Sequence, residues 1–286
     1  MFGKFGLRKF GIVGMNGRNL DFVGEHNRRK FYPVADSKLI TKKLAQSVGI
    51  NVPELYGVIE FQHDVKRFAE IVKDHSSFVI KPVRGSGGEG IIVIKDRAYN
   101  GYRKASGDIL DMADIKYHLQ NILSGMFSLG GQPDSALIEQ TVEFDPIFSD
   151  ITYQGVPDIR VIVRREKPLM AMLRLPTKAS DGKANLHMGG IGAGIDMESG
   201  ITTTAVQYNR YIERHPETGV LLAGHQIPNW QTILEIAVKM QQISGLGYVG
   251  VDIVLDRRFG PMILEINARP GLAIQIANAK GLYDCK

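Results

Sequence analysis

Apolar positions recur along this chain with two periods, and the switches between them mark out its elements. In "ADSKLITKKLAQSVGINVP" the helical period dominates. Asp36 or Ser37 is placed to cap a helix, Leu39, Ile40, Leu44 and Val48 form its apolar stripe, and Gly49 ends it. A strand near 54–60, a helix near 63–73, a helix over "DMADIKYHLQNIL" (111–123) and a strand over "ALIEQTV" (136–142) follow. "DIRVIVRREKPLMAMLRL" reads as a hairpin turning near Glu166–Pro168. A strand near 200–207, a helix at 230–243 and two strands, "GYVGVDIVLD" and "PMILEIN", complete the pattern. Residues 1–35 show little periodicity and are expected to form an extended arm or a partial domain. Without regular βαβ alternation, the mixture favours an α+β fold over a doubly wound sheet.

"FVIKPVRGSGGEGIIVIK" (78–95) contains Gly85, Gly87 and Gly90 at the GxGxxG spacing of a dinucleotide-binding turn. Such a turn runs from a strand into a helix. Here the glycines separate two Val/Ile-rich runs that both read as strands, so they form the tip of a β-hairpin. No GK[ST] follows, which excludes Walker A. The loop either brings backbone N–H groups close to an anion, with Lys81 on the incoming strand reaching a phosphate, or is a mobile tip beside one lysine.

"GYVGVDIVLDRRFGPMILEINARPG" (247–271) is the most informative hairpin. Glu265 and Asn267 are two apart and share a strand face. With a turn at Arg257–Gly260, residue 256 pairs with 261 and Asp252 lies opposite Glu265. This all-oxygen trio suits Mg²⁺, or it is a polar strand face open to water; the apolar neighbours of Asp252 and Glu265 favour the cation. Arg160 and Arg174 stand among Val, Ile, Met and Leu on successive strands, where each needs a phosphate or carboxylate partner. The glycine-rich segment 176–194, with Lys178, Asn185 and His187, has the length and composition of a lid.

Composition adds limits. The chain has 286 residues, 44% hydrophobic and 23% charged, enough for a large core and two or three subdomains. It has no apolar run long enough for a transmembrane helix and nothing resembling a signal peptide. The single cysteine, Cys285, rules out an intrachain disulfide and points to the reducing cytoplasm. The net charge of +5 is mild, and its basic clusters (Lys4, Arg8, Lys9; Arg28, Arg29, Lys30) read as solvated surface or as groups serving anionic small substrates, ahead of contact with nucleic acid or an anionic membrane surface. No nucleic-acid-binding motif is found, and membrane association stays open.

Taken in order, Lys38, Lys81, the "RGSGGEG" loop, Glu139, Arg160, Arg174, Asn185 and Asp252…Glu265-x-Asn267 resemble the ATP-grasp superfamily over about residues 36–275. "DIRVIV", "LRLPTKASDGKANLH", "GLGYVGVDIVLD" and "EINARPGLAIQIAN" are similar to its alpha-L-glutamate ligase-like, RimK-related branch. The resemblance implies an ATP-grasp fold, two α+β subdomains clasping ATP, with an N-terminal arm at 1–35 standing for a truncated substrate domain. A lid subdomain would span 36–139 and a magnesium-bearing C-terminal subdomain 140–286. It implies that Lys38, Lys81 and the loop of Gly85, Ser86, Gly87 and Gly88 contact phosphates. Glu139, Gln140 and Val142 would hold adenine, and Glu143 or Asp145 the ribose. Asp252, Glu265 and Asn267 would bind Mg²⁺ (or Mn²⁺), and Arg160, Arg174 and Asn185 would serve the reacting groups.

The implied reaction joins a carboxylate to an amine through an acylphosphate, releasing ADP. The substrates would be an amino acid or peptide, with glutamate or another amino acid transferred to a peptide, protein or cell-envelope acceptor. A second copy or a partner protein would complete the acceptor site. The competing reading is a non-catalytic nucleotide-binding module that regulates a partner.

Overall fold

The computed structural model describes residues 7–85 and 87–285, with the backbone alone for Leu129. The chain forms two compact units, Met1–Val52 with Glu143–Lys286, and Pro53–Val142. Of the residues singled out above, Lys4 and Ser86 lie outside the described set.

Residues 7–31 are not extended. They form short helical turns, including Met15–Gly17 and a π-turn at Arg18–Gly24, and bury Val13, Phe22 and Val23 against the rest of the first unit. What fastens them is side-chain amide to backbone bonding. Gln275 accepts from the Val13 N–H and donates to its C=O, both at 2.9 Å. Asn27 donates to the carbonyls of Tyr248 (2.8 Å) and Ala268 (2.9 Å) and accepts from the Tyr248 N–H (2.9 Å).

Helix α1, Lys38–Ser47, begins at Ser37, whose hydroxyl accepts from the Ile40 N–H. Its buried face is Thr41, Lys42 and Ala45, whereas Ile40 and Val48 are exposed. The stripe expected from hydrophobicity is thus rotated. Thr41 can be buried because its hydroxyl donates to the Val34 carbonyl at 2.6 Å.

The second unit is a six-stranded antiparallel sheet made of β1 (Leu55–Ile59), β2 (Phe78–Pro82), β3 (Ile92–Ala98), β4 (Gly101–Lys104), β5 (Ile109–Leu110) and β6 (Ala136–Glu139), in the order β1-β6-β2-β3-β4-β5. The glycine loop does join two antiparallel strands, β2 and β3. Helix α2, Met112–Leu123, starts with a capping box in which Asp111 accepts from Ala113 and Asp114 N–H groups and Asp114 accepts from Asp111. Its Ile115, Leu119 and Ile122 join Phe68, Phe78 and Tyr102 in the core. The segment expected as a helix near 63–73 is a 3₁₀ turn, Gln62–Arg67, followed by one α-turn, Phe68–Ile71. The strand expected to reach 142 ends at Glu139, because the Gln140 N–H turns to the Glu54 carbonyl.

The first unit carries a seven-stranded antiparallel sheet. Its strands are β7 (Asp158–Arg164), β8 (Lys167–Leu175), β9 (Ile191–Ile195), β10 (Thr202–Gln207), β11 (Arg210–Ile212), β12 (Tyr248–Asp256) and β13 (Gly260–Asn267). They lie in the order β11-β10-β9-β8-β7-β12-β13. Arg165 and Glu166 turn the β7–β8 hairpin with positive φ at both positions, the geometry that matches strand twist. Helix α3, Trp230–Ser244, covers one face through Ile233, Ala237 and Met240, against Val161, Val251, Ile253 and Ile263. Helix α4, Ala273–Ala277, lies against β8, β9 and β10. At the tip of the last hairpin Asp256 pairs with Gly260, one residue tighter than the sequence register. A β-bulge that leaves Leu264 as the extra residue then restores the pairing of Asp252 with Glu265.

Candidate functional site

Strand parity assembles a charged cluster on one face of the seven-stranded sheet. Arg160 faces Met172 on β8 and Asp252 on β12, and Asp252 faces Glu265 on β13. Asp158 and Arg174, each two residues from that row, face one another across β7 and β8. Lys38, at the first turn of α1, reaches Glu265 at 3.1 Å. Six side chains, three acids and three bases, therefore meet in one group.

Asp252 is its hub. One carboxylate oxygen accepts from Arg160 Nε at 2.7 Å; the other accepts from Arg160 Nη2 at 2.6 Å and Arg174 Nη2 at 2.7 Å. Arg174 also grips Asp158, through Nε at 2.5 Å and Nη2 at 2.8 Å. Burial alone would raise the Asp252 pKa, but the two guanidinium groups outweigh it and hold it at about 2. Asp158 behaves oppositely. Burial pushes it up to about 7 against the pull of Arg174, and the neighbouring Asp252 charge adds to the rise.

Asn267 completes the group, its Nδ2 lying 3.2 Å from Asp252 Oδ2 and 3.5 Å from Glu265 Oε1. Asp252, Glu265 and Asn267 thus converge as the sequence requires. The donor set is all oxygen and fits a hard cation that arrives with anionic ligands of its own. Glu265 is the open member, with 29% of its side chain exposed against 1% for Asp252. Among the described residues no group of three or more His, Cys, Asp or Glu side chains is placed to hold a metal ion, so the candidate set rests on two acids and an amide.

Asn185 lies in the 176–194 segment, where its side-chain oxygen accepts from the His187 N–H and starts a 3₁₀ turn. A buried knot of Thr177, Ser180 and the Gly189 carbonyl holds that segment together. Asp145 caps the 3₁₀ turn Pro146–Ile151, and Glu143 pairs with Arg257 at 2.6 Å.

In the second unit Lys81 and Glu139 lie on one sheet face and form a buried ion pair. The glycine loop begins beyond Lys81, with positive φ at Gly87, Gly88 and Gly90. Its base is tied down by Asp134, which accepts from the Arg84 N–H (2.8 Å), the Ser128 hydroxyl (2.7 Å) and the Ser135 N–H (2.8 Å). His118 Nε2 meets the Gly90 carbonyl at 2.9 Å, and burial lowers the pKa of this ring. The Gln140 N–H is committed to Glu54, and its side-chain oxygen accepts from the Glu54 N–H at 3.2 Å. Val142 is half-buried at the end of this unit.

Two residues of these sites escape motif reading. Asp158 was available from parity, since "DIR" puts it on the face of Arg160. Asp134 had no signal, because its role depends on bonds to residues that only folding brings together.

Comparison with known proteins bears on the family and the fold. Residues 17–285 match the model of the sugar-transfer associated ATP-grasp family. A curated relative, the ribosomal protein bS6–L-glutamate ligase of Salmonella paratyphi B, is 24% identical over 274 residues, covering 91% of this chain and 69% of its own. The D-alanine–D-alanine ligase of Bacillus anthracis, solved with ATP, shares 14% identity at a TM-score of 0.46, over 83% of this chain and 56% of that one. Rhizobium etli pyruvate carboxylase shares the fold at a TM-score of 0.53 and 15% identity, over 92% of this chain and 18% of its length. The chain thus spans little more than half of the solved ligase and a minor part of the carboxylase. With two antiparallel α+β sheets, and with Asp252, Glu265, Asn267, Arg160 and Arg174 gathered on one of them, the chain has the ATP-grasp fold and belongs to the sugar-transfer associated ATP-grasp family.

Proposed function

We propose that this protein is an ATP-dependent carboxylate–amine ligase. The observation that carries the reading is the cluster around Asp252: two guanidinium groups fixed by carboxylates beside two partly exposed side chains, Glu265 and Asn267, that carry oxygen donors. A substrate carboxylate oxygen attacks the γ-phosphorus, the bond to the β-phosphate oxygen breaks, and acylphosphate and ADP result. An amine then attacks the acyl carbon, phosphate leaves, and the amine's proton passes to solvent. Charge on the transferring phosphoryl group is what such a site must stabilise, so positioning and electrostatics carry the catalysis.

In this reading Arg160 and Arg174, held rigid by Asp252 and Asp158, present fixed charge to the reacting oxygens. Glu265 and Asn267, backed by Asp252, are the residues that would hold Mg²⁺, which when bound would neutralise polyphosphate charge. Lys38 trades Glu265 for a phosphate, and Lys81 with the Gly85–Gly88 loop covers the nucleotide. Glu139, Gln140, Val142 and Asp145 serve adenine and ribose, although the Gln140 amide would first have to leave Glu54. Asn185 would serve the reacting groups from its loop. The likeness to a glutamate ligase makes an amino acid the first carboxylate to try.

The test is ADP release with Mg·ATP and pooled amino acids, beside Glu265→Gln and Lys38→Met. These sites are preferable to Asp252, whose loss would strand two buried guanidinium groups. Amino-acid-dependent ADP that falls at least 100-fold in both variants supports the ligase. Tight ATP binding without turnover, with any amino acid, peptide or acceptor extract, would replace it by a nucleotide-binding regulatory module.

A further inference from the structure

Charge and exposed apolar surface are concentrated in the N-terminal segment. Residues 7–31 hold six basic side chains (Arg8, Lys9, Arg18, Arg28, Arg29, Lys30) and two acidic ones (Asp21, Glu25). They carry a net +4, against +5 for the whole chain. The same segment presents Leu7, Phe10, Ile12, Met15 and Leu20 to solvent, with Phe10 and Met15 each 66% exposed and Leu20 55%. These are five of the eighteen large apolar side chains exposed among the described residues, within fourteen positions.

This exposure is built in. Gln275 clamps Val13, the Tyr283 N–H donates to the Gly11 carbonyl, and the Tyr283 hydroxyl donates to Asp21. Phe22 packs on the rings of Tyr248 and Tyr283 at 5.1 and 5.6 Å. Arg8 lies over the Tyr283 ring at 5.0 Å. A segment so firmly held, with large apolar groups outward and with Arg8, Lys9 and Arg18 but no acid between residues 7 and 20, has a surface suited to a partner that is both anionic and apolar. The rest of the chain carries only about one net positive charge, so the excess of cations lies in this segment. Phospholipid headgroups above acyl chains meet both requirements.

We propose that residues 7–20 form a docking surface for a bilayer containing anionic phospholipid, holding the protein at a membrane face without spanning it. No helix among the described residues is long and apolar enough to cross a membrane.

Cosedimentation of the full chain with phosphatidylcholine vesicles, with and without phosphatidylglycerol, tests this. Binding is expected only with the anionic lipid and should weaken as salt is raised. The exposed triple variant Phe10→Ser/Met15→Ser/Leu20→Ser should bind at least 10-fold more weakly, and Lys9→Glu about 10-fold more weakly, both with unchanged melting. No binding by the parent chain, equal binding to neutral vesicles, or full binding by the triple variant would overturn the proposal. So would a parent dimer that the triple substitution dissolves, which would assign the surface to a second copy.

Discussion

Asn27→Ala should weaken the first unit far more than an ordinary loop substitution. The β12–β13 ladder ends at the Gly250–Asn267 pair, and beyond it the Tyr248 N–H and the carbonyls of Tyr248 and Ala268 would face no strand. The Asn27 carboxamide supplies both a donor and an acceptor to that gap, through three bonds of 2.8–2.9 Å. Asn27 and Tyr248 are buried, so water cannot replace the amide without opening the fold. At about 1 kcal/mol net per hydrogen bond, the loss is about 3 kcal/mol, a large share of the roughly 5–15 kcal/mol that holds a domain together. Trp230 is the sole tryptophan and is buried in this unit, so its fluorescence follows this unit in urea. With a slope of about 2 kcal/mol/M, the midpoint should drop by roughly 1.5 M, and hydrogen exchange at the Tyr248 amide should quicken. Asn27→Asp, which keeps the acceptor but has no donor for the two carbonyls, should do no better. A midpoint shift under about 0.5 M with Tyr248 exchange unchanged would refute the bracket.

Asp134→Ala should free the Arg84 and Ser135 N–H groups and the Ser128 hydroxyl together, costing about 2 kcal/mol in the second unit. Its melting point should fall and the glycine loop should become the first site of limited proteolysis; unchanged cleavage would count against the anchor. Asp158→Asn should change how stability varies with pH. Above a pH of about 4 the unfolded chain has released this proton, while the folded carboxyl keeps it to about 7, so folded stability falls as pH climbs through that window. The variant lacks that loss, so its stability relative to the parent should rise by on the order of 2 kcal/mol between pH 5 and pH 8. A pH-independent difference in melting would exclude the raised carboxyl.

Where the sequence is periodic, its reading survives folding. The hairpins at 158–175 and 247–267 and the long helices over 112–123 and 230–244 follow from apolar spacing and turn residues. Parity within β13 put Glu265 and Asn267 on one face, but they meet Asp252 because the bulge at Leu264 offsets a turn one residue tighter than expected. Residues 7–31 stayed unread because their attachment runs through Asn27 and Gln275, single amides whose partners are backbone groups more than 200 positions away. The face of α1 was misjudged for a related reason: Thr41 is buried by a bond to Val34 that hydrophobicity does not register. The second carboxylate on Arg174 needed only the alternation already used for Arg160, and Asp134 needed contacts no local rule supplies.

The bulge at Leu264 works like a shift of reading frame. Along β13, Ile263 belongs to the core beneath α3, and strict alternation from it would turn Glu265 and Asn267 into that same core. One uncounted residue reverses the sense of every side chain that follows, so that Ile266 faces the helix while the acid and the amide face Asp252. Everything between the bulge and the hairpin tip must therefore keep its count, since one residue more or fewer there would move the carboxylates to the other face. Deleting the single apolar Leu264, which touches no substrate in the proposed reaction, would likewise send both oxygen donors to the wrong side of the sheet.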